Sequence, residues 1–503
     1  VNFSEFLFFI FFNYYQNEKE TTLRVSFRKK IIWYIYMEIA KSIRHNVQYY
    51  IFTVCNQNKN TIQRIITKNL QIPSLPISLF NSKNGECYRT LYFQDFEILF
   101  IFIKECTLES LYYAFGMLGK KVAHYEGNIL LYIDQKKQNF IRNQIISFGL
   151  GMHTPDLYKT SEKKAPHIYL YTPSLKMRDV MKDAIYQVKI QNDIRDYNNM
   201  PGNLLNSKTF EKIISQTKEK NLKIKVYQEK ELKKIGLHLI LGVNQGSQYP
   251  AKLIQLEFKN GQGKPIIFVG KGVTFDTGGY NLKTGDFHDM KTDMTGSSTV
   301  FGLMNLIAHH KCKGHFIGLL PIVENMIGSK AVRPGDIVTA YNKKTVEITD
   351  TDAEGRLIMA DTLAYSEKFK PEMVIDVSTL TGANQYFFGG YGSSIMGNSN
   401  AYIQKMIQCG KENNEKIWEI PMWKEYQEAT RSTIADYRNH SKEMKAGTIM
   451  AGAFLSNFIP PNVKWIHIDI AGNDYHSNET NTRFSGSNGV MLNTLFCFVN
   501  HLT

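Results

Sequence analysis

The stretch TDTDAEGRLIMADTLAYSE, Thr349 to Glu367, carries Asp350, Asp352, Glu354 and Arg356 at the mouth of an apolar run. Leu357, Met359, Ala360, Leu363 and Ala364 recur at roughly helical spacing, which predicts a helix opening near Gly355. Acidic residues suit a helix N-terminus, where free N–H groups and the macrodipole attract negative charge. The preceding DIVTAYNKKTVEI, Asp336 to Ile348, alternates apolar and polar residues around Asn342-Lys343-Lys344 and reads as a β-hairpin. The acidic cluster therefore stands at a strand-to-helix junction, where α/β proteins commonly build ligand sites. In extended backbone Asp352 and Glu354 point the same way, and two carboxylates on one side repel unless something positive lies between them.

Around this junction run LKIKVY, AKLIQLEF, KPIIFVG, HFIGLLPIV, PEMVIDVS and VKWIHIDIAG, apolar and often β-branched segments separated by helical stretches. They predict a mainly parallel sheet covered on both faces by helices. Upstream, VQYYIFTV, FEILFIFI and NILLYI alternate with helix-like stretches and predict a smaller α/β domain without a chemical motif. A long helical pattern ending at Pro201-Gly202 bridges the two. The expected fold class is α/β, with an N-terminal α/β domain over 37–172 and a linker helix plus larger catalytic domain over 173–503. At 503 residues, two domains is the natural expectation.

Hydrophobic residues make up 43% and charged residues 21%, as in soluble globular enzymes rather than disordered chains. The formal charge of +14 invites a nucleic-acid reading, but the lysines are spread out and interleaved with glutamates, as in SKTFEKIISQTKEKNLKIKVYQEKELKK (Ser207 to Lys234). That pattern suits a solvated surface, so nucleic acid is not the expected partner. Six cysteines lie far apart without a C-x-x-C pair, which argues against a thiolate zinc site or a disulfide framework and suits a reducing compartment. Any metal is expected on oxygen and nitrogen. FLFFIFF, Phe6 to Phe12, falls far short of the ~20 residues of a membrane span, and no other run approaches that length. The expected setting is cytoplasmic, without membrane partners. Residues 1–36 read as an uncertain extension, with Met37 a plausible alternative start.

Two further segments place charge where a strand ends. In IIFVGKGVTFDTGGYNLK, Ile266 to Lys283, a buried strand runs into Gly270-Lys271-Gly272, followed by Asp276 and Lys283. The phosphate-loop pattern fails because Pro265 and Gly272 stand where Gly and Ser or Thr are required, and the dinucleotide pattern fails at Phe275. On their own, Lys271 and Lys283 would be surface cations and Asp276 a turn residue. In FHDMKTDMTGSSTVFGLMNLIAHH, Phe287 to His310, Asp289 and Asp293 precede an apolar helix, and Asp293 alone would be an N-cap. Together, Asp276, Asp293, Asp352 and Glu354 with two lysines make a different picture. Burying several carboxylates costs several kcal/mol unless cations neutralise them. Oxygen ligands shared between two divalent ions ~3.5–4 Å apart are one solution, and such a pair can activate water for hydrolysis.

VGKGVTFDTGGYNLK, MKTDMTGSS and TDTDAEGRL resemble, in order and spacing, the three signature segments of the leucyl (cytosol) aminopeptidase family. ENMIGSKAVRPGDI, STLTGA, HIDIAG, NNMPGNLL and LGVNQGSQYPAKLIQLEF extend the resemblance, strongly from about Gln191 onward and upstream only in layout. The resemblance implies a two-metal exopeptidase that releases N-terminal leucine and similar residues from peptides. It implies Asp276 and Glu354 as ligands bridging two divalent ions, zinc or manganese with magnesium or cobalt as further candidates. Lys271 and Asp293 would complete the tighter site and Asp352 the looser one. A lysine ligand must be neutral, and two adjacent dications would lower its pKa enough. Lys283 would polarise the scissile carbonyl, and Arg356 would anchor a bicarbonate that shuttles protons. Met290, Asp350, Ala353, Thr379, Gly382 and Ala471 would line the substrate pocket, and a homohexamer of two stacked trimers is implied.

This chain departs from the family pattern at three places. Asp350 stands where asparagine is usual, Thr295 replaces a glycine, and KAGTIMAG (Lys445 to Gly452) is less glycine-rich. Every metal and catalytic position is kept, so these departures bear on side-chain preference more than on activity. Two other classes compete: a structural or DNA-binding member of the same fold, which only the charge favours, and a two-metal phosphoesterase, which typically brings histidine ligands that the three segments lack.

Overall fold

In a computed structural model, the described residues are 37–502 apart from 41, 44–46, 55–57, 73–74, 76–78, 80–87, 104–106, 134, 136, 161–164 and 442–444. The expectations about residues 1–36 lie outside them. The described residues divide into two compact units between Ile185 and Tyr186, inside the helix Leu175–Asn199.

The first unit is a six-stranded sheet of β1 (Met37–Ile39), β2 (Tyr49–Val54), β3 (Tyr88–Tyr92), β4 (Glu97–Phe102), β5 (Asn128–Tyr132) and β6 (His167–Tyr171), in the order β1-β6-β5-β2-β4-β3. All pairings are parallel except the edge pair of β3 and β4. Tyr50, Phe52 and Val54 alternate along β2 into one apolar core with Ile62 and Ile66 of the helix Lys59–Leu70, the period of two that puts every second side chain on one face.

The second unit is built on a nine-stranded sheet. Its path is β16 (Ile417–Glu419), β15 (Ser393–Gly397), β18 (Lys464–Asp469), β14 (Met373–Ser378), β9 (Ile266–Gly270), β11 (Gly314–Asn325), β8 (Lys252–Asn260) and β7 (Lys223–Gln228), with β10 (Gly272–Asp276) beside β11. The middle strands β18, β14, β9, β11 and β10 run parallel, while β8 joins β11, β7 joins β8 and β15 joins β18 antiparallel. The mainly parallel sheet is therefore observed, with antiparallel additions at both sides. Phe268, Ile375 and Val377 point into one core and Ile267, Val269 and Val374 into the other. The helix Thr295–His309 fills the first core with Val300, Leu303, Met304 and Ile307. The helix Gly355–Tyr365 fills the second with Leu357, Ile358 and Leu363, and every residue of it is buried.

The hairpin read before the acidic stretch is present, β12 (Ile337–Thr339) against β13 (Thr345–Glu347), and the helix opens at Gly355 as its periodicity predicts. At Lys271 the chain changes partners. Its N–H donates to Val377 O of β14 at 3.1 Å, whereas β10 just beyond it pairs only with β11. Lys271 thus stands at the C-terminal ends of the parallel strands, the place where open α/β sheets bind ligands.

A carboxylate and lysine cluster at the ends of the parallel strands

Each carboxylate of the cluster is delivered by a different strand end or helix start. Asp276 closes β10, and Asn325 at the end of β11 donates from Nδ2 to its Oδ1 at 2.8 Å; the Gly278 N–H reaches the same oxygen at 2.9 Å. Gly278 has φ +86°, a left-handed turn that glycine adopts without strain, and it turns the chain back so that Lys283 N–H meets Thr277 O at 2.9 Å. Asp293 immediately precedes the Thr295 helix. It does not cap that helix, as it would if read alone. Its Oδ1 accepts from Thr379 Oγ1 at 2.8 Å and pairs with Lys271 Nζ. Asp352 and Glu354 come from the loop leading into the Gly355 helix, and one carboxylate oxygen from each of Asp276, Asp352 and Glu354 lies within 4.8 Å of the other two.

The lysines sit among these acids rather than on the surface. Lys271 Nζ lies 3.2 Å from Glu354 Oε1, and Lys283 Nζ lies 2.7 Å from Asp276 Oδ2 and 2.5 Å from Asp352 Oδ1. Gly355 makes room for the first contact: a Cβ there would fall 2.0 Å from Lys271 Cε. Burial works against charge on Lys271, yet Asp293, Glu354 and Asp276 together hold it above the ordinary lysine range. Lys283 is raised likewise, burial being outweighed by Asp276, Glu354 and Asp352.

The acids bear the strain of this crowding. Burial, with Asp276 and Glu354 adding repulsion, pushes Asp352 up to about 7. Glu354 and Asp293 are raised as well, burial being the first cause in both. Four carboxylates face two ammonium groups, and Asp293 Oδ2 is buried without any hydrogen-bond donor. An orphaned carboxylate oxygen, an excess of negative charge and hard oxygen donors are what a divalent cation satisfies. These residues fit such a group.

The sequence profile of the cytosol aminopeptidase family, catalytic domain, matches residues 192–496. The chain belongs to the cytosol aminopeptidase family. A probable cytosol aminopeptidase of Thioalkalivibrio sulfidiphilus is 42% identical over 283 residues, 55% of this chain and 57% of that protein. Those of Sulfurihydrogenibium sp. and Agrobacterium fabrum are 36% and 35% identical, covering 70% and 74% of this chain and 72% and 79% of theirs. The match thus spans between about half and four fifths of these curated relatives. Among solved structures, the bottromycin maturation enzyme BotP aligns with a TM-score of 0.80 at 23% identity, over 91% of this chain and 99% of its own. A second BotP structure, in complex with Mn, gives 0.79 and 24%. At such identity the likeness speaks for the shared fold.

Of the other family positions singled out in the sequence, Arg356 is buried one residue into its helix. Its Nη1 donates to Asn439 O at 2.8 Å, and its Nε has no acceptor. Asp350 turns back on its own loop: its Oδ1 accepts the Asp352 N–H at 2.9 Å, and Oδ2 lies 3.8 Å from His440 Nδ1. No lysine pairs with it, and a quarter of its side-chain surface stays exposed. Ala353 is buried, its carbonyl accepting from Asn439 Nδ2 at 3.2 Å, and Met290 is half-buried in the turn before Asp293. Gly382 starts the helix Gly382–Phe388 and faces open space, while Ala471 O accepts from Asn384 Nδ2 at 2.8 Å. Thr295, the departure from glycine, is accommodated, its hydroxyl donating to Thr292 O at 2.7 Å.

Two supporting residues escaped the sequence reading. Asn439 accepts the Thr349 N–H at 2.9 Å, donates to Asp350 O at 2.6 Å, and gives its carbonyl to Arg356, so it holds the acidic loop in shape. Asn325 holds Asp276. Asn325 falls inside ENMIGSKAVRPGDI, a segment with a detectable signal but no assigned role; the segment around Asn439 has none.

Proposed function

We propose that this protein is a metal-dependent aminopeptidase that removes leucine and similar residues from the N-termini of peptides by two-metal hydrolysis. One arrangement carries the reading: Lys271, Asp276, Asp293 and Glu354, all buried, converge with the more exposed Asp352 in a negatively biased cluster at the C-terminal ends of the parallel strands. Family membership and the complex of BotP with Mn support it.

In this reading Asp276 and Glu354 would be shared by two divalent ions, with Lys271 and Asp293 holding one of them and Asp352 the other. Such ions supply Lewis-acid polarisation and activation of water at neutral pH. Metal loading requires Lys271 to give up its proton, because its ammonium form, held by Asp293 and Glu354, has no lone pair to donate. Lys283, whose Nζ pairs with Asp276 and Asp352 while a fifth of its side chain stays exposed, keeps its charge and would stabilise the oxyanion that develops from the scissile carbonyl. The Arg356 guanidinium, with its Nε unpaired, is suited to hold a small planar anion such as bicarbonate, which serves as proton carrier. The acidic surroundings favour a free α-amino group, which restricts cleavage to the first residue. Cytoplasmic placement and a homohexamer belong to the same reading; among the described residues no helix is long and apolar enough to cross a membrane.

The direct test is hydrolysis of leucine p-nitroanilide by the full chain, after chelation and after adding back Mn²⁺ or Zn²⁺. Metal-restored release of p-nitroaniline is expected. Absence of turnover with every divalent ion, in a folded protein that binds them, would overturn the reading.

A further inference from the structure

A second group of metal-binding side chains forms where two helices of the catalytic unit pack together. The helix Asn400–Glu412 contributes Cys409 and Glu412, three residues apart; the helix Leu492–Leu502 contributes Cys497 and His501, four apart. Those intervals put each pair on one helical face. One ligand atom from each of Cys409, Cys497 and His501 lies within 4.8 Å of the other two, and the Cys497 thiol donates to Glu412 Oε2 at 3.7 Å. The wide spacing of the cysteines argued against a thiolate zinc site, but folding sets two of them side by side.

The surroundings favour a built site. Cys409 is fully buried, Cys497 half-buried and His501 exposed, so the donors grade from core to solvent and leave an entry path. The second helix is pinned at both ends. Glu415 accepts the Met491 N–H at 2.7 Å and the Thr494 N–H at 3.3 Å, and Lys405 Nζ donates to His501 O at 3.0 Å. Donors on rigid, tethered helices lose little freedom on binding an ion.

We propose that Cys409, Cys497 and His501, with Glu412 as fourth donor, form a structural zinc site that fastens the C-terminal helix to its neighbour. Two thiolates, an imidazole and a carboxylate suit tetrahedral Zn²⁺, which reaches thiolate sulfur at ~2.3 Å and imidazole nitrogen at ~2.0 Å; the three grouped donors need only draw together, while the Glu412 carboxylate must swing in from its contact with the Cys497 thiol. Binding replaces the two thiol protons, which pass to the buffer. A disulfide would use the same cysteines but leaves His501 and Glu412 without a part. The site shares no residue with the carboxylate cluster, so it stands or falls independently of peptidase activity.

The test uses the reduced full-length protein and Co²⁺ as probe. The carboxylate cluster has no sulfur, so thiolate-to-cobalt charge-transfer absorption reports only the cysteine pair. A band that saturates at one Co²⁺ per chain and is displaced by Zn²⁺ is expected. Cys497→Ser should abolish it. His501→Ala, at an exposed position where folding is safe, should weaken zinc by more than the ~10-fold typical of losing a mere supporting contact. Ions on the carboxylate cluster should be retained in both variants. Absence of the band in reduced protein, affinity unchanged in His501→Ala, or recovery of Cys409 and Cys497 as a disulfide from anaerobically purified protein would overturn the proposal.

Discussion

Lys271 Nζ lies 3.2 Å from Glu354 Oε1, and neither side chain reaches solvent to more than a few per cent of its surface. The two come from separate elements, one from the residue just after β9 and the other from the residue before the Gly355 helix. Glu354→Ala should abolish hydrolysis and lower metal content together, since the residue serves both ions in the proposed mechanism. Asp276→Ala should do the same. Near-normal turnover with two bound ions in either variant would remove that residue from the bridging role.

Lys283 is different, because it touches two of the acids yet keeps a fifth of its side-chain surface exposed. Lys283→Ala is expected to cost ~10²–10³ in kcat with metal stoichiometry intact, as for loss of an oxyanion donor. Metal analysis beside the kinetics decides it; a variant that also lost its ions would make Lys283 a structural counter-charge.

At Asp350, the Oδ1 contact to the Asp352 N–H can be made equally by an asparagine oxygen. Asp350→Asn should therefore keep fold and ions while removing one negative charge near the pocket. At an effective dielectric near ~20 a pair at ~4 Å is worth at most ~4 kcal/mol, and the partial exposure of Asp350 discounts that heavily. The expected result is a fall in kcat/KM for lysine relative to glutamate p-nitroanilide. If leucine, lysine and glutamate substrates kept their ratios, Asp350 would have no part in specificity.

Asp361, in the same helix as Arg356 but outside the carboxylate cluster, offers a pH test. Wholly buried, it accepts N–H bonds from Leu239 at 2.7 Å, Ile240 at 3.2 Å and Tyr341 at 2.8 Å, and burial pushes its pKa up to about 7 despite them. Unfolded, it titrates near ~3.9. The folded chain thus holds a proton that the unfolded chain has already lost. The associated stability is fully present below ~pH 4 and disappears as pH rises through about 7. Relative to Asp361→Asn, which stays neutral, wild-type protein should lose up to ~4 kcal/mol across that window. Melting temperatures of both proteins at about pH 5 and about pH 8 check the sign; a gap moving in the wild type's favour at high pH would refute it.

Assembly is the remaining test. The proposed hexamer predicts that light scattering gives six times the chain mass of 57.9 kDa. A monomer at working concentration would contradict it.

Much of the catalytic unit is legible along the chain. The strands that build its sheet are short apolar runs, the helix after Glu354 has its own period, and the hairpin before it alternates; each rests on interactions between near neighbours, which leave a periodic trace. The acidic residues at strand ends also declare themselves, since charge beside an apolar run is costly without a purpose. What no local pattern contains is which distant groups meet. Thr379 reaches Asp293 across 86 positions, Arg356 finds Asn439 O across 83, and Cys497 faces Glu412 across 85. Asp293 reads as a helix cap and Lys271 as a surface cation until parallel strands bring their C-terminal ends to one edge. The cysteines look unrelated until two helices pack. Parallel pairing and helix packing join segments far apart in the chain, so these partners were decided only by the tertiary structure.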